Sequence, residues 1–188
     1  RSFDDLKKQL TTNSDDCKII DEFLTLLATC HTVIPEFQVD GSIKYQAASP
    51  DEGALVEGGA LLGYKFLIRK PNSVTILINE EEEREYQLLN ICEFNSTRKR
   101  MSAIFRFPDD SIKLLCKGAD SVILERLSET GNFYVDATTR HLEDYATEGL
   151  RTLCLATKDI PEDEYNAWNK KYMDAATTLD HRAEKLDA

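Results

Sequence analysis

Residues 86–118 read YQLLNICEFNSTRKRMSAIFRFPDDSIKLLCKG. Three apolar, strand-like runs follow one another in this stretch: Tyr86–Phe94, Met101–Phe107 and Ile112–Lys117. Asp109-Asp110-Ser111 separates the last two with turn chemistry, because short polar side chains bond back to their own backbone. Upstream, Tyr64–Arg69 and Val74–Ile78 read as two more strands around Pro71-Asn72-Ser73. The acidic run Glu80–Glu83 is expected at a solvated hairpin tip.

Helices are expected on both sides of these hairpins. Asp15 and Asp16 precede an apolar stripe at helical spacing, Ile19, Ile20, Phe23, Leu24, Leu27 and Ala28. Ser49-Pro50-Asp51-Glu52 opens a second helix. Ser49 can cap it, Pro50 suits its first turn, and the two acids favour the positive end of the helix dipole. That helix runs to Leu62 and stops at Gly63. The segment His31–Ser42, with Pro35 and Asp40-Gly41, reads as a loop, and Ile43–Ala47 as a short strand. Downstream, Ser121–Leu127 and Asp136–Thr147 read as helices, with a turn at Gly131-Asn132 between them. Arg151–Lys158 reads as a strand, and a final helix opens at Pro161. Successive hairpins flanked by helices give an α+β domain built on an antiparallel β-sheet, not a dinucleotide-binding fold.

Composition narrows the function classes. The chain has 188 residues, 41% of them apolar and 30% charged. That is enough to bury a core without a metal or disulfide staple. Its 23 Lys and Arg face 34 Asp and Glu, a formal net charge of −11. An anion of this size repels nucleic acid and anionic membranes. No apolar run approaches the 18 or so residues that a membrane span needs. The five cysteines are odd in number, scattered, and without zinc spacing, so reduced thiols are expected. The chain opens on Arg1, and we expect it to be a piece of a longer polypeptide with residues 1–15 as a tether.

Three polar segments could carry chemistry, and each also has a plain reading. Glu93-Phe94-Asn95-Ser96-Thr97-Arg98-Lys99-Arg100-Met101-Ser102 sets an aromatic and cations between two strands. Phe94 is either a ring that stacks on a base or a core residue beneath a charged hairpin. Lys117-Gly118-Ala119-Asp120 ends a strand where a lysine could enter a pocket, or is a strand-to-helix turn capped by Asp120. In Gly149-Leu150-Arg151-Thr152-Leu153 the arginine either meets a phosphate or pairs with a nearby acid. Met101, Phe105 and Phe107 are expected in the core. The three histidines lie far apart, no nucleophile motif is present, and neither GxGxxG nor GxxxxGK[ST] occurs.

Together with Ser49-Pro50-Asp51-Glu52-Gly53-Ala54-Leu55-Val56, these segments occur in the order of a known family. The chain resembles the nucleotide-binding (N) domain of a P-type ATPase. The forms SPDE-ALV and KGAD resemble the phospholipid-flippase branch, and within it the fungal Golgi aminophospholipid flippases. The resemblance implies ATP binding by Glu52 at the base's amino edge, Phe94 stacked on adenine, Lys117 lining the adenine pocket, Lys99 near the nucleotide and Arg151 at the ribose and β-phosphate. Asp51, Ser96, Thr97, Gly118 and Thr152 are further candidate contacts; at Ser96 ion pumps often carry Arg. The motifs that would accept the phosphoryl group or clear it, DKTGT, GDGxND and TGE, are not in this chain. No catalytic or metal-binding residue is therefore expected here, and Mg2+ would follow the phosphates into another domain. The implied partners are the phosphorylation and actuator domains of the same pump and an accessory subunit, with phospholipid reached only through a membrane domain. The implied location is the cytosolic face of a Golgi or endosomal membrane. On this reading residues 16–188 form the nucleotide-binding domain. The rival expectation is a non-catalytic protein-interaction domain that docks through Glu80–Glu83.

Overall fold

The computed structural model describes Lys8, residues 15–130 and residues 132–177. The expected tether therefore lies almost wholly outside the described residues, as do Gly131 and residues 178–188, over which the last helix is expected to run on, with or without a break. Helix α1 (Asp15–Thr29) leads into β1 (Ile34–Phe37) and β2 (Ile43–Gln46), then α2 (Pro50–Leu61). Strands β3 (Tyr64–Lys70), β4 (Ser73–Ile78), β5 (Glu82–Cys92), β6 (Arg100–Arg106) and β7 (Ile112–Gly118) follow. Helices α3 (Asp120–Leu124) and α4 (Val135–Thr147), strand β8 (Cys154–Ile160) and helix α5 (Glu162–Thr177) complete the order. Strands β3 to β8 form one six-stranded antiparallel sheet in sequence order, and β1 and β2 pair separately. The architecture is α+β, an antiparallel sheet flanked by helices.

The pleat sends alternate side chains to opposite faces. On the first face Phe66, Val74, Ile76, Tyr86, Met101, Ala103, Phe105 and Leu115 pack with Leu24, Leu27 and Ala28 of α1 and Val56 of α2. On the second, Ile104 and Ile112 meet Tyr165 of α5, and Cys116 and Cys154 meet Ile123 of α3. Ion pairs tie the layers together. On the first face Arg84 Nη1 lies 3.0 Å from Asp21 Oδ1, and Lys113 pairs with Glu22. On the second, Arg106 holds Glu162 through two 2.9 Å bonds. The cysteines described are free thiols, and burial pushes the Cys30 thiol up to about 12.

Several local expectations need correction. The segment read as a loop contains β1. A two-stranded sheet has only edge strands, and an edge strand tolerates Pro35. The last sheet strand starts at Cys154, not Arg151, because β7 ends at Gly118, the partner of Cys154, and offers nothing to pair with Arg151–Leu153. Ser49 makes no side-chain cap; the opening of α2 rests on Pro50 and on the acids Asp51 and Glu52. Asp120 is not the cap of α3 but its first residue: the Ala119 carbonyl accepts from Val122 and Ile123 N–H. Helix α1 buries every residue from Leu24 to Thr29, while Ile19 and Phe23 of the expected stripe stay exposed. Met101 and Phe105 are buried, and Phe107 packs against the same core.

Gly118 shows why two strands can meet so closely at this end. A Cβ there would lie 2.6 Å from Arg100 Cβ and 2.7 Å from the Lys99 carbonyl oxygen. Gly118→Ala must displace the β6 backbone, and we expect a loss of about 1–3 kcal/mol in urea unfolding. His31 is buried next to α1. Its Nε2 bonds the Ala28 carbonyl at 2.9 Å, and its Nδ1 accepts from Val33 N–H at 3.2 Å. These two contacts assign the neutral tautomer. Burial, and after it the neighbouring Arg69 guanidinium, push its pKa down from 6.5 to about 3. Between those values the unfolded chain binds a proton that the folded chain refuses. Stability from this group is therefore intact above about pH 6.5 and falls as pH drops, by about 2 kcal/mol between pH 7.5 and 5.0. Urea unfolding at the two pH values should lose that increment in the wild type and not in His31→Gln. Imidazole NMR signals of His31 should stay in the neutral form to about pH 4.

Candidate functional site

Strand register gathers the chemistry-bearing segments at one end of the sheet. Cys92 pairs with Ser102, Arg100 with Gly118, and Gly118 with Cys154. The loop 93–99, the end of β7 and the approach to β8 through 149–153 therefore share that end. The N-terminus of α2 closes on it through two contacts. Lys117 Nζ stands 3.6 Å from Glu52 Oε1, and Arg151 Nη1 lies 2.9 Å from Asp51 Oδ2.

The two pairs differ in character. The side chains of Lys117 and Glu52 are 8% and 13% exposed, so each charge depends on the other. Glu52 is held further by Thr32, whose N–H donates to Oε1 and whose hydroxyl donates to Oε2, both at 2.9 Å. Arg151 is 81% exposed, so its bond to Asp51 adds little stability and leaves the guanidinium able to turn to another anion. The plain reading of Arg151, as the partner of a nearby acid, is thus met by Asp51.

The loop 93–99 is shaped by its own polar groups. Asn95 Oδ1 accepts from the N–H of Thr97 at 3.0 Å and of Arg98 at 2.7 Å. Lys99 N–H then donates to the Asn95 carbonyl at 2.8 Å, and the Lys99 carbonyl accepts from Ala119 N–H at 3.0 Å. Lys99 is held at φ 50°, a left-handed conformation that costs a lysine about 1 kcal/mol. The tight turn keeps Phe94, Ser96, Thr97 and Lys99 outside the core. Phe94 is 62% exposed, so the reading as a core residue fails. Gly118 is buried and Thr152 half-buried.

A cavity of about 680 Å³ lies on the second face instead. Ser102 and Cys116 floor it, with Arg98, Arg100, Tyr165 and Trp168 among its walls. None of the expected nucleotide residues lines it. It is a space between α3, α5 and the sheet. The open end with Glu52, Lys117, Phe94, Lys99 and Arg151 instead combines a ring, a fixed acceptor and movable cations. Among the described residues no cluster of three His, Cys, Asp or Glu side chains could hold a metal ion. None of the described helices is long and apolar enough to cross a membrane. Sequence reasoning missed Thr32. It lies 20 residues from Glu52, outside every motif, and only the packing of α1 against α2 brings it there.

Comparison with known proteins agrees with this geometry. The family model described as P-type ATPase, cytoplasmic domain N, matches residues 20–186. The chain is 78% identical to the phospholipid-transporting ATPase DRS2 of Saccharomyces cerevisiae over 189 aligned residues, which take in 100% of this chain and 14% of that protein. It is 57% identical to the phospholipid-transporting ATPase C887.12 of Schizosaccharomyces pombe, over 98% of this chain and 14% of that protein. Against the human phospholipid-transporting ATPase IC the identity is 50%, over 88% of this chain and 13% of that protein. The chain thus spans about a seventh of the length of these relatives. A match over nearly the whole chain, with four motif segments meeting at one sheet end, leads to one conclusion: the chain belongs to the cytoplasmic N-domain family of P-type ATPases.

Proposed function

We propose that this chain is the ATP-binding domain of a phospholipid-translocating P-type ATPase, and that it holds ATP at the Lys117 end of the sheet. One observation carries the reading: an exposed aromatic, Phe94, stands at the same sheet end as the buried Glu52–Lys117 pair and two solvent-facing cations. Adenine stacks on Phe94, and the Glu52 carboxylate accepts from the base's amino group. Lys117 lines the adenine pocket. Lys99 and Arg151 meet the ribose and phosphates, and Arg151 leaves Asp51 for the stronger anion. Asp51, Ser96, Thr97, Gly118 and Thr152 are further contacts around the ligand.

Residues 16–188 act as the nucleotide-binding domain and residues 1–15 as its tether; the C-terminal end leads back to a phosphorylation domain. There the γ-phosphoryl passes to an aspartate that this chain lacks, so domain closure and positioning do most of the work. Mg2+ arrives with the phosphates and is held mainly outside this chain. Alone, the domain binds ATP without turning it over and moves no lipid. In the whole pump it works at the cytosolic face of a Golgi or endosomal membrane, against the phosphorylation and actuator domains and with an accessory subunit. Phospholipid is met only by a membrane domain.

Docking through the acidic tip is the weaker reading. Glu80 lies 3.5 Å from Lys65 and Glu82 lies 2.6 Å from Arg84, so the chain's own cations already meet part of that charge.

A pocket that grips mainly the adenosine end should bind with Kd on the order of 0.1–1 mM, about 4–5.5 kcal/mol. Titration calorimetry of the wild type and Phe94→Ala tests the assignment. Lost stacking should weaken ATP by several-fold or more, about 1–3 kcal/mol. The melting temperature should hardly move, because the ring is already 62% exposed. Unchanged ATP affinity in Phe94→Ala would favour the interaction-domain reading.

A further inference from the structure

Thr32 follows α1 and precedes β1, away from every segment that the nucleotide reading uses. Its two donors engage both oxygens of Glu52, N–H to Oε1 and hydroxyl to Oε2. Lys117 Nζ stands 3.6 Å from Oε1, an ion-pair distance too long for a hydrogen bond. A carboxylate offers about four acceptor positions. Thr32 donates one hydrogen bond to each oxygen, and each oxygen keeps a further acceptor position. The hydroxyl of Thr32 sets the direction of the one on Oε2.

Thr32 is itself held by its neighbours in sequence. Val33 N–H donates to His31 Nδ1 at 3.2 Å, and the His31 carbonyl accepts from Arg69 Nη2 at 2.6 Å. The His31 ring meets Phe66 edge-on with centroids 4.5 Å apart. Backbone and ring are thus clamped between α1 and β3, and the Thr32 donors point at Glu52 from a rigid base.

We infer that Thr32 is a positioning residue that fixes Glu52 as an acceptor for a single N–H donor, and so makes the site prefer a purine with an amino group at its six-membered edge over one with a carbonyl there. The inference rests on the nucleotide reading and deepens it. Adenine presents an N–H to Oε2. Hypoxanthine presents an oxygen at that position, which the carboxylate repels, and its N1–H donor lies one atom further round the ring, where a carboxylate held in place is not aimed. Without the hydroxyl the carboxylate keeps its Oε1 contacts but can swing about them, and the open position on Oε2 loses its aim.

The test compares ATP with inosine triphosphate, in which a carbonyl replaces the amino group. Affinities are measured by calorimetry on the 188-residue chain for the wild type, Thr32→Val, Thr32→Ala, Thr32→Ser and Glu52→Gln. The wild type should favour ATP. Thr32→Val, which keeps the shape and backbone N–H, should weaken ATP by about five- to ten-fold, less than the full loss of a charge-assisted hydrogen bond because the acceptor is misdirected and not removed. Its affinity for inosine triphosphate should stay within about two-fold. Thr32→Ala lacks the same hydroxyl without β-branching and should match it, and Thr32→Ser should restore the ATP preference. Equal weakening of both nucleotides in Thr32→Val and Thr32→Ala would mean a merely structural role and overturn the inference. If Glu52→Gln removes the ATP preference while both Thr32 variants keep it, the Thr32 role falls and the nucleotide reading stands. If Glu52→Gln also keeps the preference, the assignment of Glu52 to the base falls, and the Thr32 role with it.

Discussion

The site depends on a lysine placed where a lysine is costly. Lys117 points from β7 to the apolar face of the sheet, where its neighbours at alternate positions are core residues such as Leu115. Its ammonium is left 8% exposed and finds Glu52 at 3.6 Å. Removing one partner of such a pair strands the other charge, a loss of about 3–5 kcal/mol. An apolar pair of similar volume would serve stability as well or better. The proposed grip on a nucleotide would account for a pair that stability does not favour. The two further bonds that Glu52 takes from Thr32 satisfy lone pairs that a buried carboxylate cannot leave bare, and they also fix its orientation.

The sheet works as a partition. Its first face carries α1 and α2, with ion pairs from Arg84 and Lys113 to Asp21 and Glu22 fixing α1 over the strands. This layer sets where Thr32 and the first turn of α2 can lie, and so where Glu52 stands. The second face carries α3 and α5 and the cavity. Alternation along 98–100 sends Arg98 and Arg100 to that cavity, while Lys99, in its left-handed conformation, stays at the open end. The cavity points to that face, whereas charge arrangement and register favour the other, where we propose the nucleotide is held.

The sheet was legible in the sequence because its strands alternate over a half-buried surface and its turns carry Asp, Asn and Gly. Asp110 does adopt a positive φ of 66°, in the turn that Asp109-Asp110-Ser111 announced. Strand β1 was not legible, since Pro35 reads as a breaker unless one knows that its sheet has only two strands. The start of β8 was misplaced because Leu150 and Leu153 look like strand residues, and only the end of β7 stops the pairing. Among site residues, Glu52, Phe94, Lys99, Lys117 and Arg151 could be named from motifs, though local pattern could not tell an exposed Phe94 from a buried one. Thr32 gave no signal. A threonine after a helix is common, and its meaning comes from a contact made across 20 residues.

The most direct test of the account is an amide NMR titration of this chain with ATP, with and without Mg2+. The account predicts saturable shifts confined to the open sheet end, at Glu52, Phe94, Lys99, Lys117 and Arg151. It also predicts little change on adding the metal and quiet signals around Tyr165 and Trp168. Shifts centred on Tyr165 and Trp168 would put the ligand in the opposite cavity. A folded chain with no shifts up to several millimolar ATP would contradict the binding role altogether.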